Sequence, residues 1–158
     1  MNNLLSNKNF KNTAIILIIA LFFVSDRFLK YLALNQNGPK PLFGQTFLFN
    51  LTKNYNISFS LPFHGPILNV LVIVIIFILA LIIYRLISKE KSLNLKATLL
   101  TFILFGAISN MVDRLLHGYV IDYLELKYFT VFNLADVMIS FGVLILIVSL
   151  MKDKKYVE

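Results

Sequence analysis

Two aspartates, Asp122 and Asp136, stand where carboxylates can do chemistry. Asp136 ends the tetrapeptide Asn133-Leu134-Ala135-Asp136 at the start of an apolar run, and Asp122 lies in the preceding segment Val120-Ile121-Asp122-Tyr123. Carboxylates beside such a run are costly for a membrane protein to keep. When two carboxylates share one proton, the ionised one activates a water and the protonated one polarises a carbonyl group. The pair therefore indicates hydrolysis by an activated water.

Other nucleophiles and metal ligands are sparse in the sequence. It has no cysteine, which excludes a thiolate nucleophile, a disulfide and a Cys-ligated metal. His64 and His117 are its only histidines, and their positions near turns or helix ends favour solvated or capping roles. No metal site and no cofactor are predicted, and no Ser-His or Cys-His pair competes with the two aspartates.

The composition is that of an integral membrane protein. Of the 158 residues, 58% are hydrophobic and 15% are charged, and the mean hydropathy is +0.79. These values are too apolar for a soluble domain. The net charge of +7 does not indicate nucleic-acid binding, because most Lys and Arg residues flank the apolar runs.

Four apolar segments are long enough to cross a hydrocarbon core of about 30 Å. They cover about 13–34, 67–87, 96–115 and 132–151. Basic residues collect at the N-terminus, at 89–96 and at the C-terminus, which the positive-inside rule places together in the cytoplasm. We therefore predict an all-α membrane protein with a single domain over 1–158, four transmembrane helices and both termini cytoplasmic.

A small extracytoplasmic β-hairpin or sheet is predicted at 40–63, between the first two helices. Apolar residues alternate from Phe47 to Thr52 and again from Ile57 to Leu61, and Lys53 to Asn56 form the predicted turn. One face of this hairpin is apolar. It either rests on the bilayer or on a bound peptide, or packs on its own helices, and the pattern leaves these alternatives open.

Several polar residues fall near the outer surface in this topology, which supports a single site. These residues are Asp26, Lys30, Asn110, Asp113, Asp122 and Asp136. Asp26 and Lys30 are four apart, so they share a helix face and are expected to pair, reaching the interface by snorkelling.

Two further local arrangements are predicted around the aspartates. Asp113 lies near a helix C-terminus and needs a cation such as Arg114 or Lys30, which we interpret as a structural ion pair. Asn133 is a candidate N-cap, which places Asp136 at the third position of the helix.

Three segments resemble, in order and spacing, the signature of the lipoprotein signal peptidases (signal peptidase II). They are Asn110-Met111-Val112-Asp113-Arg114, Val120-Ile121-Asp122-Tyr123 and Phe132-Asn133-Leu134-Ala135-Asp136. Asp26 with Lys30, and Asn54 followed by Ser58-Phe59-Ser60, resemble the two N-terminal motifs of that family. The resemblance implies that Asp122 and Asp136 are the catalytic aspartates. It also implies that the other motif residues bind substrate or support the fold, namely Asp26, Lys30, Asn54, Asn110, Asp113, Arg114 and Asn133.

Two positions depart from the family pattern. Asn56 and Ser109 stand where the family usually has glycine. Asn tolerates a positive φ nearly as well as Gly does, and Ser still permits close approach of helices.

The resemblance implies an aspartic endopeptidase of the bacterial cytoplasmic (inner) membrane, with its active site near the outer face. Such an enzyme removes the signal peptide of a prolipoprotein just before a diacylglyceryl-modified cysteine, and we expect it to act as a monomer among membrane lipids. The alternative is a small proton-coupled carrier that uses intramembrane carboxylates. Carriers tend to place such groups near the midplane on broken helices in repeated halves. Neither feature is visible in this sequence.

Overall fold

The computed structural model describes residues 2–55, 66–90 and 93–154, which form four helices and four strands. The elements in chain order are α1 (Asn2–Leu34), β1 (Lys40–Phe43), β2 (Phe47–Asn54), α2 (Pro66–Glu90), α3 (Leu95–His117), β3 (Val120–Leu126), β4 (Thr130–Phe132) and α4 (Leu134–Lys154). The predicted spans 67–87 and 96–115 agree closely with α2 and α3. The fourth helix begins two residues later than predicted, at Leu134.

Three helices are long and apolar enough to cross a membrane, within the part of the chain that the structure describes. They are Pro66–Lys89, Leu95–His117 and Leu134–Lys152. Apolar side chains along them are exposed in the isolated protein, as with Phe77 and Leu144, which suits contact with lipid. The helix α1 is longer but carries several charges near its C-terminal end. Its crossing of the membrane therefore stays a prediction.

The four strands form one antiparallel sheet in the order β1-β2-β3-β4. The sequence-based prediction placed β structure only between the first two helices, and this was too narrow. β3 and β4 lie between α3 and α4, and β3 carries Asp122. Long-range pairing accounts for the difference, because β3 adds its hydrogen-bonding edge to β2.

The predicted turn at 53–56 is also wrong in its first half. Lys53 and Asn54 continue β2 and pair with Ile121 and Val120 of β3. This cross-strand partner is distant in sequence, and its pairing overrides the local turn preference of the Lys-Asn segment. The hairpin partner of β2 is β1, while the predicted second strand at 57–61 lies outside the described residues.

Two glycines let the elements reach the site. A Cβ on Gly106 of α3 would lie 2.7 Å from the carbonyl oxygen of Ala135, so this glycine allows α3 to approach the first turn of α4. Gly118 ends α3 with φ 79°, in the left-handed region that glycine adopts without strain. The chain then turns directly into β3, which carries Asp122.

The sheet is anchored to the helices by a small buried core. Ala33 of α1 packs with Ile121 and Tyr123 of β3, and all three are fully buried. Phe49 of β2 lies against Tyr123 with ring centroids 5.5 Å apart. Because the sheet rests on the C-terminal part of α1, the β3 backbone has a fixed position relative to that helix.

Candidate active site

Asp122 and Asp136 belong to one network of asparagine amides. The Asn133 Nδ2 donates to Asp122 Oδ1 at 2.6 Å, and the Asn54 Nδ2 donates to Asp122 Oδ2 at 2.9 Å. The Asn110 Nδ2 donates to Asp136 Oδ1 at 2.8 Å. Asp122 and Asn133 are buried, whereas Asp136 is partly exposed. The network holds the aspartates of β3 and α4 through side chains from β2, α3 and the start of α4.

The N-terminus of α4 is closed by a reciprocal capping box. The backbone N–H of Asp136 donates to Asn133 Oδ1 at 2.9 Å, and the backbone N–H of Asn133 donates to Asp136 Oδ2 at 3.2 Å. The predicted N-cap at Asn133 and the third helical position of Asp136 are confirmed. This local geometry places the Asp136 carboxylate beside the backbone N–H of Asn133, at the positive end of the helix dipole.

The orientation of the Asn110 amide follows from Lys30. Lys30 Nζ, which can only donate, lies 2.8 Å from Asn110 Oδ1, and Asn133 Nδ2 donates to the same oxygen at 3.1 Å. The Asn110 oxygen therefore accepts from these two donors, and the Nδ2 of the same amide faces Asp136. Since an amide nitrogen can only donate, the Asp136 oxygen accepts from it.

Burial raises the pKa of the Asp122 carboxyl to about 7. The nearby negative charge of Asp136 also raises this pKa, while hydrogen bonds from Asn54 and Asn133 and the charge of Lys30 oppose the shift. Burial dominates because the charged form loses its hydration. A carboxyl with this pKa holds its proton in neutral or mildly acidic water for much of the time.

A buried charge cluster lies beside this network. Lys30 Nζ is 3.0 Å from Asp26 Oδ2 and 2.7 Å from Asp113 Oδ2, and Arg27 Nη1 also pairs with Asp113 Oδ1. The predicted Asp26–Lys30 pair is confirmed, and Lys30 is one of the two cations expected for Asp113. The expectation that these charges reach the interface by snorkelling is wrong, because Asp26, Lys30 and Asp113 are fully buried. Each charge is compensated inside the protein.

Three contributors to the cluster were missed by sequence reasoning. Arg27 is the second cation of Asp113, and its position directly after Asp26 and three residues before Lys30 was an available signal. The Ser109 Oγ donates to Asp26 Oδ2 at 2.6 Å, and the Tyr123 hydroxyl donates to Asp26 Oδ1 at 2.9 Å. Ser109 was expected only to permit helix approach, and no local pattern indicates its partner.

Of the other residues that the sequence singles out, Arg114 and His117 are described by the structure. Arg114 is half-buried, and its charge interacts with those of Asp113, Asp122 and Asp136. His117 is the last residue of α3 and is exposed, as expected for a helix-end histidine. Asn56, Ser58-Phe59-Ser60 and His64 lie outside the described residues.

The fold is that of a helical membrane protein with a small antiparallel sheet. One solved structure, described as a bacterial membrane enzyme at 2.3 Å resolution, superposes with a TM-score of 0.78 at 21% identity over 92% of each chain. A second, described in the same words at 1.9 Å resolution, gives a TM-score of 0.73 at 21% identity over 89% of this chain and 94% of the other. At this identity the likeness concerns the fold.

Sequence comparison identifies the family. The family profile described as signal peptidase (SPase) II matches residues 18–152. The lipoprotein signal peptidase of Moorella thermoacetica is 35% identical over 83% of this chain and 88% of its own length. That of Clostridium tetani is 31% identical over 89% and 94%, respectively. The chain therefore belongs to the signal peptidase II family, a family of proteases.

Proposed function

We propose that this protein is an aspartic endopeptidase that removes the signal peptide of a bacterial prolipoprotein just before a diacylglyceryl-modified cysteine. The observation that carries the proposal is the pair Asp122 and Asp136, linked through the single side chain of Asn133. Membership of the signal peptidase II family supports the substrate class, since the related proteins are called lipoprotein signal peptidases.

In this mechanism the ionised Asp136 removes a proton from a water as that water attacks the scissile carbonyl carbon. Asp122 gives its proton to the carbonyl oxygen, so the tetrahedral intermediate forms without a free oxyanion. The intermediate collapses when Asp136 passes its proton to the leaving nitrogen and Asp122 recovers a proton from the hydroxyl group. The C–N bond then breaks, and both aspartates return to their starting states.

Three features of the site support Asp136 as the base and Asp122 as the acid. Asp136 lies in the first turn of α4, where the Asn133 N–H donates to its carboxylate. The helix dipole there stabilises an anion by about 0.3–1 kcal/mol, and by up to about 2 kcal/mol when partly buried. Lys30 directs the Asn110 amide towards Asp136. Asp122 is on a strand, almost fully buried, and its pKa of about 7 favours the protonated form.

We further propose a topology of four spans with both termini cytoplasmic and the site near the outer face of the cytoplasmic membrane. Asp122 and the sheet lie where α1 and α3 end and α4 begins, so all these elements meet at one end of the helices. A lipidated substrate then enters laterally from the bilayer, where burial of its acyl chains contributes about 0.8 kcal/mol per CH₂.

Cleavage of a synthetic precursor peptide by the purified protein tests the proposal. The peptide carries a diacylglyceryl group on its cysteine, and the matched control carries the free thiol. We expect cleavage immediately before the lipidated cysteine and much slower cleavage of the control. A protein that cleaves neither peptide but carries protons across liposomes would be a carrier, and the proposal would be wrong.

A further inference from the structure

The strand that carries Asp122 and the helix that carries Asp136 are joined by one tyrosine hydroxyl. The N–H of Leu134, the first residue of α4, donates to the Tyr123 hydroxyl oxygen at 3.0 Å. That hydroxyl donates in turn to Asp26 Oδ1 at 2.9 Å. Since the backbone N–H can only donate, the direction of both hydrogen bonds is determined.

Tyr123 completes the set of side chains that satisfy the first turn of α4. The N–H groups at the start of a helix have no partner within the helix. Tyr123 accepts from Leu134, Asp26 Oδ1 accepts from Ala135 at 3.1 Å, and Asn133 Oδ1 accepts from Asp136. The start of α4 is thus held from β3, from α1 and by its own N-cap.

The position of Tyr123 in the chain connects this hydrogen bond to both aspartates. Tyr123 directly follows Asp122, and Leu134 lies two residues before Asp136. The ring is fully buried against Phe49 and belongs to the core cluster with Ala33. A buried ring with a fixed hydroxyl has little freedom, so it sets the distance between the β3 backbone and the first turn of α4.

The hydroxyl remains a donor at any working pH. Burial, followed by the negative charge of Asp26, raises the pKa of Tyr123 well above its ordinary value. Asp26 itself is paired with the buried Lys30 and accepts from Ser109, so its carboxylate is a fixed acceptor.

We propose that Tyr123 is a positioning residue that sets the separation of Asp122 and Asp136 for the hydrolysis described above. The inference rests on the proposed peptidase function. The polar partners of the Tyr123 hydroxyl are the Leu134 N–H and Asp26 Oδ1, so Tyr123 acts on the chemical step through the positions of the two aspartates. A buried tyrosine that only stabilises the fold would leave the rate per folded molecule unchanged.

The Tyr123→Phe variant removes the hydroxyl and keeps the ring. We expect kcat on the lipidated peptide to fall about tenfold per folded molecule, with KM within about twofold of the wild type, since small displacements of catalytic groups lower the rate of the chemical step. Tyr119→Phe is the matched control, because this nearby tyrosine precedes β3 and its ring contacts are to Tyr55, His117 and Lys53. We expect it to keep the wild-type kcat.

Leu134→Pro tests the same hydrogen bond from its other end. Proline lacks the N–H and is favoured at the first position of a helix. Leu134→Ala is its control, because it loses the same packing but keeps the N–H. We expect Leu134→Pro to lower kcat about tenfold relative to Leu134→Ala, and the double variant with Tyr123→Phe to lose little more, since both changes remove one bond.

The outcomes separate the two proposals. Wild-type kcat in folded Tyr123→Phe, or fully multiplied losses in the double variant, would overturn the positioning role while leaving the peptidase function intact. If Tyr123→Phe is not recovered in folded form, the comparison of Leu134→Pro with Leu134→Ala decides in the same way. A wild-type protein that does not cleave the lipidated peptide would overturn the peptidase function, and the positioning role with it.

Discussion

Lys30 Nζ lies 2.8 Å from Asn110 Oδ1, and this contact links the buried charge cluster to the candidate catalytic pair. The ammonium group occupies the amide oxygen, so the amide nitrogen faces Asp136 Oδ1 at 2.8 Å. Lys30 therefore fixes the orientation of the Asn110 amide, so that its N–H group and not its oxygen faces Asp136.

Replacement of Asn110 tests this relationship. Asn110→Ala removes the donor to Asp136 and the acceptor of Lys30, and we expect kcat to fall by about 10², as when one oriented donor is removed from other active sites. Asn50→Ala is the control, because it removes an amide that donates to Glu125 on the sheet. Equal kcat values for both variants would exclude a role for Asn110 in the chemical step. Both are measured on the lipidated peptide.

The roles of three aspartates are expected to separate on substitution to asparagine. Asp122→Asn and Asp136→Asn should each abolish cleavage and leave a folded protein, since the pair acts as a unit. Asp113→Asn should instead lower the free energy of unfolding, because it deprives Lys30 and Arg27 of a buried counter-charge, and breaking such a pair costs about 3–5 kcal/mol. Peptide cleavage and thermal unfolding in detergent measure the two effects. A stable, inactive Asp113→Asn alongside an active Asp122→Asn would contradict the assignment of the catalytic pair.

Activity is expected to decline as the pH rises through about 7. The proposed mechanism requires protonated Asp122, whose pKa in the folded protein is raised to about 7 by burial. The alkaline limb of the pH profile of kcat/KM, which reports the free enzyme, should therefore lie near this value, as an apparent constant of the coupled pair. Replacing solvent water with D₂O should move the limb upward by the usual isotope shift of a carboxyl group. A profile that is flat from pH 5 to pH 9 would contradict an acid role for Asp122.

The same group makes stability depend on pH. Its pKa is raised from 3.8 when folded, so the native state binds more protons than the unfolded state between about pH 4 and about pH 7. The contribution of Asp122 to stability is thus fully present at low pH and is lost as the pH rises to about 7. Asp122→Asn should remove this part of the dependence and unfold at a higher temperature than the wild type at pH 8. An unchanged slope of the unfolding midpoint against pH would exclude this contribution.

Close contact between α3 and α4 is expected to matter more at Gly106 than at Gly142. A Cβ on Gly106 meets the Ala135 carbonyl oxygen at 2.7 Å, and this backbone cannot yield without moving the first turn of α4. A Cβ on Gly142 meets Ile103 Cγ1 at 2.7 Å, so this substitution displaces a side chain of α3 and not the backbone of the first turn of α4. We expect Gly106→Ala to lower kcat about tenfold or more and Gly142→Ala to retain most of it. The reverse order would show that this approach does not position Asp136.

Topology can be read by labelling single cysteines in a chain that has none of its own. The Gln45→Cys and Lys127→Cys variants should react with a membrane-impermeant thiol reagent in cells with an accessible outer face, and the Ser6→Cys and Ser92→Cys variants should not. The Lys127 N–H donates to Thr46 O at 2.9 Å, so the loop that holds Gln45 and the loop that holds Lys127 are neighbours. Cysteines at these two positions must therefore react alike in either orientation. Labelling of only the Ser6→Cys and Ser92→Cys variants would show that the orientation is opposite to the proposed one.

The sequence by itself determined the helices and the local arrangements at their ends. Continuous apolar runs predicted α2 and α3 to within a few residues, because burial in lipid depends on composition and length. The Asp26–Lys30 pair and the Asn133–Asp136 cap were predictable because both join residues three or four apart on one helix turn.

Only the tertiary structure decided the sheet and the partners within the buried cluster. β2 pairs with β3 across some 70 residues, Arg27 reaches Asp113, and Tyr123 reaches both Asp26 and Leu134. No sequence period specifies these contacts, since each depends on how separate elements pack. The amides that link Asp122 to Asp136 therefore became visible only when α1, α3, α4 and the sheet were brought to one place.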